Sequence, residues 1–535
     1  MQNLRLKFLL TLGLLAGLCQ MLQATTYYVD GDAGSDRQNG KAPETAWKSL
    51  KKVSKAKFKP GDSILLKRGS SFNGSIKLTE SGKKDHPITI SAYGEGPLPV
   101  INASGYRAGV HILNASHILV EDLEITGDGG RMVDGSPERQ RSGVLVNSVK
   151  GKPVGHITIR NLYLHDIYPG VGSPHEGRNE TTHLGYGVVI RGNQPAASSH
   201  FLVAGCRIER MGFKAIEMKN ISQVMVLDNR MKDIGGPAIQ PGEVEGLIVR
   251  GNIVDGSGAY IDPRMHGRGS GIWPWTSKRI LIEKNTFMRA RGKADSCGAH
   301  IDYNCSDVIV QYNLSIDNEG GFIEILGNNY NCAYRYNISI NDGSRVREQN
   351  GAHQEGKILW TSGFVGRNKK KTGPFNSYIY NNTIYVGPDS RSCFSITGST
   401  EGLLVANNIF HILGTTRDVL GDQDWRKDEI VDRIARDNVR NNVLIREDLF
   451  PESLPFESLA QIVGDVGFAN PGGMKAEDYI PQNTELVRDR GIRIETLPGD
   501  DIGLWLGLEV TSDFFGNPIN GLPDLGAIEL PAAIN

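Results

Sequence analysis

Cysteine is scarce, with six in 535 residues. Cys19 falls in the N-terminal apolar run, which leaves Cys206, Cys297, Cys305, Cys332 and Cys393. An odd, scattered set is not a disulfide framework, and none of its spacings suits a zinc site. Cys206, Cys332 and Cys393 lie in apolar strand-like runs and read as small core residues. Cys297 and Cys305 are the two spaced for a bridge. Charge of one sign is also lacking: 59 basic residues face 60 acidic ones, a net charge of −1. That balance excludes a nucleic-acid binder and a polybasic membrane-surface protein. Beyond residue 24 no apolar run is long enough to span a bilayer. The 65 glycines show no G-x-y period, which excludes collagen, and 39% hydrophobic residues with 22% charged exclude wholesale disorder.

The first 24 residues have the layout of a secretory signal. Arg5 and Lys7 precede an apolar stretch over 8–18, and Leu22-Gln23-Ala24 offers a cleavage site. The expectation is a signal peptide over 1–24 and a secreted or periplasmic mature chain.

What is abundant is a repeat. Apolar, mostly β-branched positions lead to an Asn and then to another alternating run. The copies read Val226-Leu-Asp-Asn229, Val249-Arg-Gly-Asn252, Ile282-Glu-Lys-Asn285, Val310-Gln-Tyr-Asn313, Tyr334-Arg-Tyr-Asn337, Ile379-Tyr-Asn-Asn382, Val405-Ala-Asn-Asn408 and Val439-Arg-Asn-Asn442. Earlier copies place Leu123, Leu162 and Cys206 in the Asn slot. A second short strand, usually opened by Gly or Ala, precedes most copies. Such a unit cannot bury its apolar side alone and must stack on its neighbours. Asn at one corner of successive turns tolerates left-handed backbone, and its amide can bond to the Asn of the next turn. The pattern predicts an all-β solenoid over 25–445, with insertions at 126–142, 165–186, 255–270, 343–376 and 411–438. Trp47, Leu50 and Val53 at helical spacing predict an amphipathic helix over 43–58 in an N-terminal cap (25–62) that covers the open sheet edge. A second helix is expected around 425–434. Residues 446–535 lack the repeat and are expected to cap the C-terminal end.

The chain resembles the right-handed parallel β-helix family of secreted proteins. The resemblance rests on the opening Tyr27-Tyr-Val-Asp-Gly with Lys59-Pro-Gly-Asp62, the Asn corners, and the closing Pro523-Asp-Leu-Gly-Ala-Ile-Glu529. It implies a carbohydrate-active protein: a glycosidase, a polysaccharide lyase, an epimerase or a depolymerase.

Alternate residues of a strand point outward. Aligning Ile216, Ile239, Ile272, Ile301 and Ile323 as one inward column makes Glu217, Gln240, Trp273, Asp302 and Glu324 its outward neighbours. Lys219, Trp275 and His300 flank that column, and the 255–270 insertion brings Arg264 and His266. In this alignment Asp302 and Glu324 stand about 5 Å apart, the separation of a retaining glycosidase pair, and their pKa values should split. The resemblance implies Asp302 as nucleophile and Glu324 as acid/base, with the roles exchangeable. A slip of two residues would put the pair on a diagonal about 8 Å apart and admit an inverting route. Glu217, Lys219, Gln240, Trp273, Trp275, His300, Arg264 and His266 are the candidate sugar-binding residues. Arg191, at the end of the column, could meet an acidic sugar.

Three functions compete. The first is a glycoside hydrolase without cofactor or metal, acting as a monomer on a polysaccharide or oligosaccharide. The second is a polysaccharide lyase, with Lys219 or His300 as base, Arg264 as neutraliser, and Asp302 with Glu324 holding Ca2+. The third is a non-catalytic surface solenoid.

Overall fold

The structure, a computed structural model, describes residues 24–133, 140–169, 184–193, 197–419 and 438–531. Most of the expected signal segment and the helix expected around 425–434 lie outside the described residues. So do parts of the 126–142 and 165–186 insertions.

The chain winds into a right-handed parallel β-helix. Neighbouring strands of successive turns pair in parallel, as a chain returning to the same face once per turn requires. Sheets of 19 and 14 strands run along the molecule, and a 4-stranded sheet continues the remaining face in the C-terminal half. The 12-residue strands Ile216–Leu227 and Ile239–Arg250 pass through a corner and join two faces. Inward positions such as Ile280, Ile282, Val308, Val310 and Tyr334 form one continuous core and are inaccessible to water. Each such side chain contributes about 1.5–3 kcal/mol of burial.

All eight repeat asparagines form one ladder. From Asn229 to Asn442 each Nδ2 donates to the Oδ1 of the next Asn at 2.9–3.0 Å. Each also donates to a backbone carbonyl of the turn before, as Asn313 does to Ile282 at 2.9 Å. Gln461 adds a further rung, its Oε1 accepting from the Asn442 backbone. The left-handed residue is not the ladder Asn but the one before it: Asp228, Gly251, Lys284, Tyr312, Tyr336, Asn381, Asn407 and Asn441 have φ between 51° and 69°. That preceding residue turns the corner, and the turn drives the Asn side chain inward to its partners.

The N-terminal helix is shorter than its spacing predicts. It covers Leu50–Lys55, with Ser49 Oγ accepting from the Lys52 amide as the cap. Trp47 instead adds a bridge to Val29, while Leu50 and Val53 close the core as expected. All five described cysteines are free and buried, so Cys297 and Cys305 form no bridge. Cys297 Sγ meets Glu324, and the Cys305 backbone donates to Asn329.

The C-terminal segment does more than close an end. Leu449, Leu454 and Phe456 plug the core. The chain then folds back over two outer faces. Val466, Phe468, Tyr479 and Leu525 cover Ile338, Ile340 and Tyr385. Leu497 and Leu504 cover Leu281, Ile309 and Tyr378. This covering explains why apolar residues occupy outward positions there.

Asn313→Ala removes a central rung and leaves buried partners on both sides unsatisfied. It should lower unfolding stability by about 2–3 kcal/mol in a urea titration, and Gln461→Ala at the ladder's end by about 1 kcal/mol.

Candidate active site

The outward column begins as expected. Glu217 pairs with Gln240, and the bridge between Ile239 and Ile272 places Trp273 next. One turn later the register departs from the alignment. Ile272 pairs with Ala299, and Ile301 with Ile325. The column therefore continues from Trp273 through His300 to Glu324, and then to Trp360. Asp302 belongs to the neighbouring column, after Lys219, Gly242 and Trp275. The cause is one extra residue at the corner: the distance to the ladder Asn is 12 for Glu217, Gln240 and Trp273, and 13 for His300 and Glu324.

This corrects the expected acid pair. Asp302 and Glu324 are diagonal neighbours, about 7–8 Å apart by sheet geometry, not side by side. Glu324 is wholly buried, with Cys297 Sγ at 2.9 Å and His300 Nε2 at 3.4 Å. Arg345 folds over this region and donates to the carbonyls of Asp295 and Gly292. The pair expected to hold Ca2+ is likewise split between two environments.

Six of the expected residues line one cleft of about 630 Å³: Glu217, Lys219, Gln240, Trp273, Trp275 and Asp302. Arg191, expected at the end of the column, lines the cleft too, and Lys214 and Tyr303 join it. The remaining four stand elsewhere. His300 is buried and stacks on Trp273, with ring centroids 4.7 Å apart and planes 17° apart. His266 packs edge-on to Phe213 and lines a separate cavity. Arg264 grips Asp262 at 2.7 Å and Asp128, and lies over Tyr168. Glu324 lies beneath the surface beside His300.

The aromatic wall has a backbone cause. The Trp275 indole lies over Gly242, where a Cβ would come within 2.4 Å of the ring. Lys219 Nζ stands 5.1 Å from the centroid of that ring. Trp273 donates from Nε1 to Asp302 Oδ2 at 2.7 Å, and the Tyr303 amide donates to Oδ1 at 2.8 Å.

The carboxyls of the region have opposite fates. Burial pushes Asp302 up to about 7, despite the two hydrogen bonds that favour its charged form. Burial likewise pushes Glu324 well above the usual carboxylate range. Burial also works against charge at Asp295, but Arg268 outweighs it and holds this carboxyl below its ordinary value. Burial opposes ionisation of Glu217 too, yet Lys214 at 2.7 Å and Arg191 at 2.5 Å bring it to about 2. Burial drops His300 to about 4, so its ring is neutral at physiological pH. Arg268 connects the set: it grips Asp295 and sits 5.6 Å from the ring centroid of Trp273, whose N–H reaches Asp302. Asp295 and Lys214 were missed in the sequence. Asp295 lies in a loop before the strand, where alternation gives no orientation.

Among the described residues, Asp295, His300 and Glu324 form the one group with metal-type ligand atoms within 4.8 Å of one another. Arg268 already engages the Asp295 carboxylate, and burial disfavours a charged Glu324. The donor set therefore fits a proton-sharing network better than a cation.

A family model described as a right-handed beta helix region matches residues 100–287. The lacto-N-biosidase of Bifidobacterium longum subsp. longum is 26% identical over 613 aligned residues, covering 94% of this chain. The chain spans only 36% of that relative's length. In fold the chain is similar to a GH136 lacto-N-biosidase from Eubacterium ramulus, with TM-score 0.52 and 19% identity over 82% of this chain and 68% of that one. It is also similar to the PL6 family alginate lyase AlyGC, with TM-score 0.50 and 13% identity over 91% and 60% of the two chains. The protein thus has the β-helix architecture of these carbohydrate-active relatives.

Because Asp302 binds its proton more tightly folded than unfolded, its contribution to stability is fully present below about pH 4. That contribution is lost as pH rises to about 7. Asp302→Asn should therefore melt increasingly above the parent protein between pH 4.5 and pH 8. A difference in melting temperature that stays constant over this range would contradict the raised pKa.

Proposed function

We propose that the protein is an exported glycoside hydrolase acting on an oligosaccharide, with Asp302 as its general acid. The observation that carries this reading is a cleft carboxyl held near pKa 7 close to a carboxylate, Asp295, held ionised. Environments that push two carboxyls apart in this way equip one as acid and the other as anion. The similarity to the lacto-N-biosidase supports an oligosaccharide substrate. The apolar segment that follows Arg5 and Lys7 supports export.

In this mechanism a sugar ring stacks on the Trp273–Trp275 wall. Asp302 donates its proton to the glycosidic oxygen as the bond to C1 breaks; a water molecule then adds to C1, and the proton it releases restores Asp302. The Trp273 and Tyr303 N–H groups stabilise the carboxylate that Asp302 carries between these two proton transfers. Asp295 supplies the negative charge that favours an oxocarbenium-like transition state. Gln240, beside Trp273, is placed to bond a sugar hydroxyl. The reaction needs no cofactor. This assignment makes Asp302 the acid rather than the nucleophile that the family resemblance implied, and leaves Glu324 as a buried support instead of the acid/base.

A lyase reading is favoured by one feature, the cations Arg191, Lys214 and Lys219 around the cleft, which would neutralise a uronate carboxylate. Product mass separates the two. With a panel of plant, algal and animal glycans, hydrolysis adds one water to the products. Elimination adds none and leaves an ultraviolet-absorbing unsaturated end.

Asp302→Asn should lower kcat on a cleaved glycan by about 10²–10⁴-fold with KM little changed. In the parent protein, kcat should decline above about pH 7 as Asp302 loses its proton. A wild-type rate in Asp302→Asn would remove it as the acid.

A further inference from the structure

Among the described residues, Glu217 is the one carboxylate lining the cleft that stays ionised across the physiological range, and it is already spent. Its Oε2 accepts from Lys214 at 2.7 Å, and its Oε1 accepts from Arg191 Nε at 2.8 Å. One carboxylate neutralises one cation, so this triad keeps a net positive charge. Lys214 is only 8% exposed, and its ammonium lies over the ring of Phe213 at 4.4 Å. A cation so far from water is costly without a full counter-charge. Lys219, the third cation, is half-exposed at the cleft rim. Its nearest carboxylate, Glu243, is 3.5 Å away and does not line the cleft. Asp302 adds little negative charge below pH 7. Among its described residues the cleft thus presents three cations against one engaged carboxylate, beside an indole that suits a pyranose face.

We propose that the cleft selects an anionic sugar, one whose ring packs on Trp275 while a carboxylate or sulfate ester completes the coordination of Lys214, Arg191 and Lys219. The inference rests on the hydrolase reading only for calling this sugar a substrate; the anion site itself stands on the geometry. Arg191 and Lys214 are fixed by Glu217, so they meet the anion without losing side-chain freedom at that moment. Lys219 closes over it from the rim. Glu217 acts as a positioning residue that holds two cations facing one point.

The test reads binding rather than turnover. The full-length protein carrying Asp302→Asn is titrated at low ionic strength with D-glucuronate, with inorganic sulfate and with D-glucose, following tryptophan fluorescence and heat. Glucuronate should bind and glucose should bind at least about tenfold more weakly, the worth of one charge-assisted contact. Sulfate binding as tightly as glucuronate would assign the site to sulfate esters as well, and glucuronate alone would assign it to uronates. Lys219→Met, at a half-exposed position, should weaken glucuronate about tenfold; Lys214→Met should do so more strongly. Lys57→Met, on the distant N-terminal cap, should change nothing. Equal affinity for glucuronate and glucose, or binding of neither anion up to 100 mM (roughly the weakest affinity of interest), would overturn the proposal. So would undiminished binding by Lys219→Met. Anion binding without cleavage of any glycan would leave this inference intact and sink the hydrolase reading. Cleavage confined to neutral glycans would do the reverse.

Discussion

Vertical registry is the constraint on which the rest of this molecule depends. A parallel solenoid can slide one turn over the next unless something inside it resists. Here the resistance is a row of buried amides in which every Asn engages its neighbours and the backbone of the turn before. A buried amide left without its partner is costly, so slipping one turn would break several bonds at once. The ladder holds the corner, and the corner holds the outward columns. The residues of the cleft come from five different turns, and they converge only because those turns cannot drift.

The site uses the fold in a second way. An outer sheet face normally meets water, and a carboxyl there titrates like any other. Here loops and the neighbouring tryptophans close over the middle turns, and Asp302, Glu324, Asp295 and His300 are all removed from solvent. What then separates them is the identity of the nearest charge. Asp295 has Arg268 and stays ionised; Asp302 has an indole N–H and a backbone amide, which are too weak to offset burial. Glu217 has two cations and is brought down to about 2. The same desolvation acts on all of them, and the counter-charges decide which keep their protons and which stay ionised.

The C-terminal segment shows how irregular chain serves a regular one. Outward-facing Leu281, Ile309, Tyr336 and Tyr378 would expose an apolar stripe on a bare solenoid. The segment that returns over them converts those positions into a second core. The Tyr378 hydroxyl and the Asn331 amide both bond to Asp500, which ties that segment to the sheet.

Much of the fold is legible in the sequence. The eight asparagines announced the stacked turns, because a corner repeated in register has few other uses. Glu217, Gln240, Trp273, Trp275, Lys219 and Asp302 were legible as one outward patch, because strand alternation is strictly twofold. The partner of Asp302 was not legible. With one additional corner residue, the inward partner of Ile272 is Ala299 and not Ile301, two positions further on, and an apolar pattern accepts either residue in that column. Only the backbone pairing decides between the two. Asp295 escaped for a related reason: it comes from a loop, where no periodicity tells which way a side chain points, and the ion pair with Arg268 joins residues 27 apart in sequence. The sequence by itself determined the repeating unit, its inward and outward sides and most of the cleft wall, since these follow from local alternation. Tertiary structure decided which carboxyls meet and which keep their protons, since desolvation and charge pairing are properties of neighbours brought together by the winding of the chain.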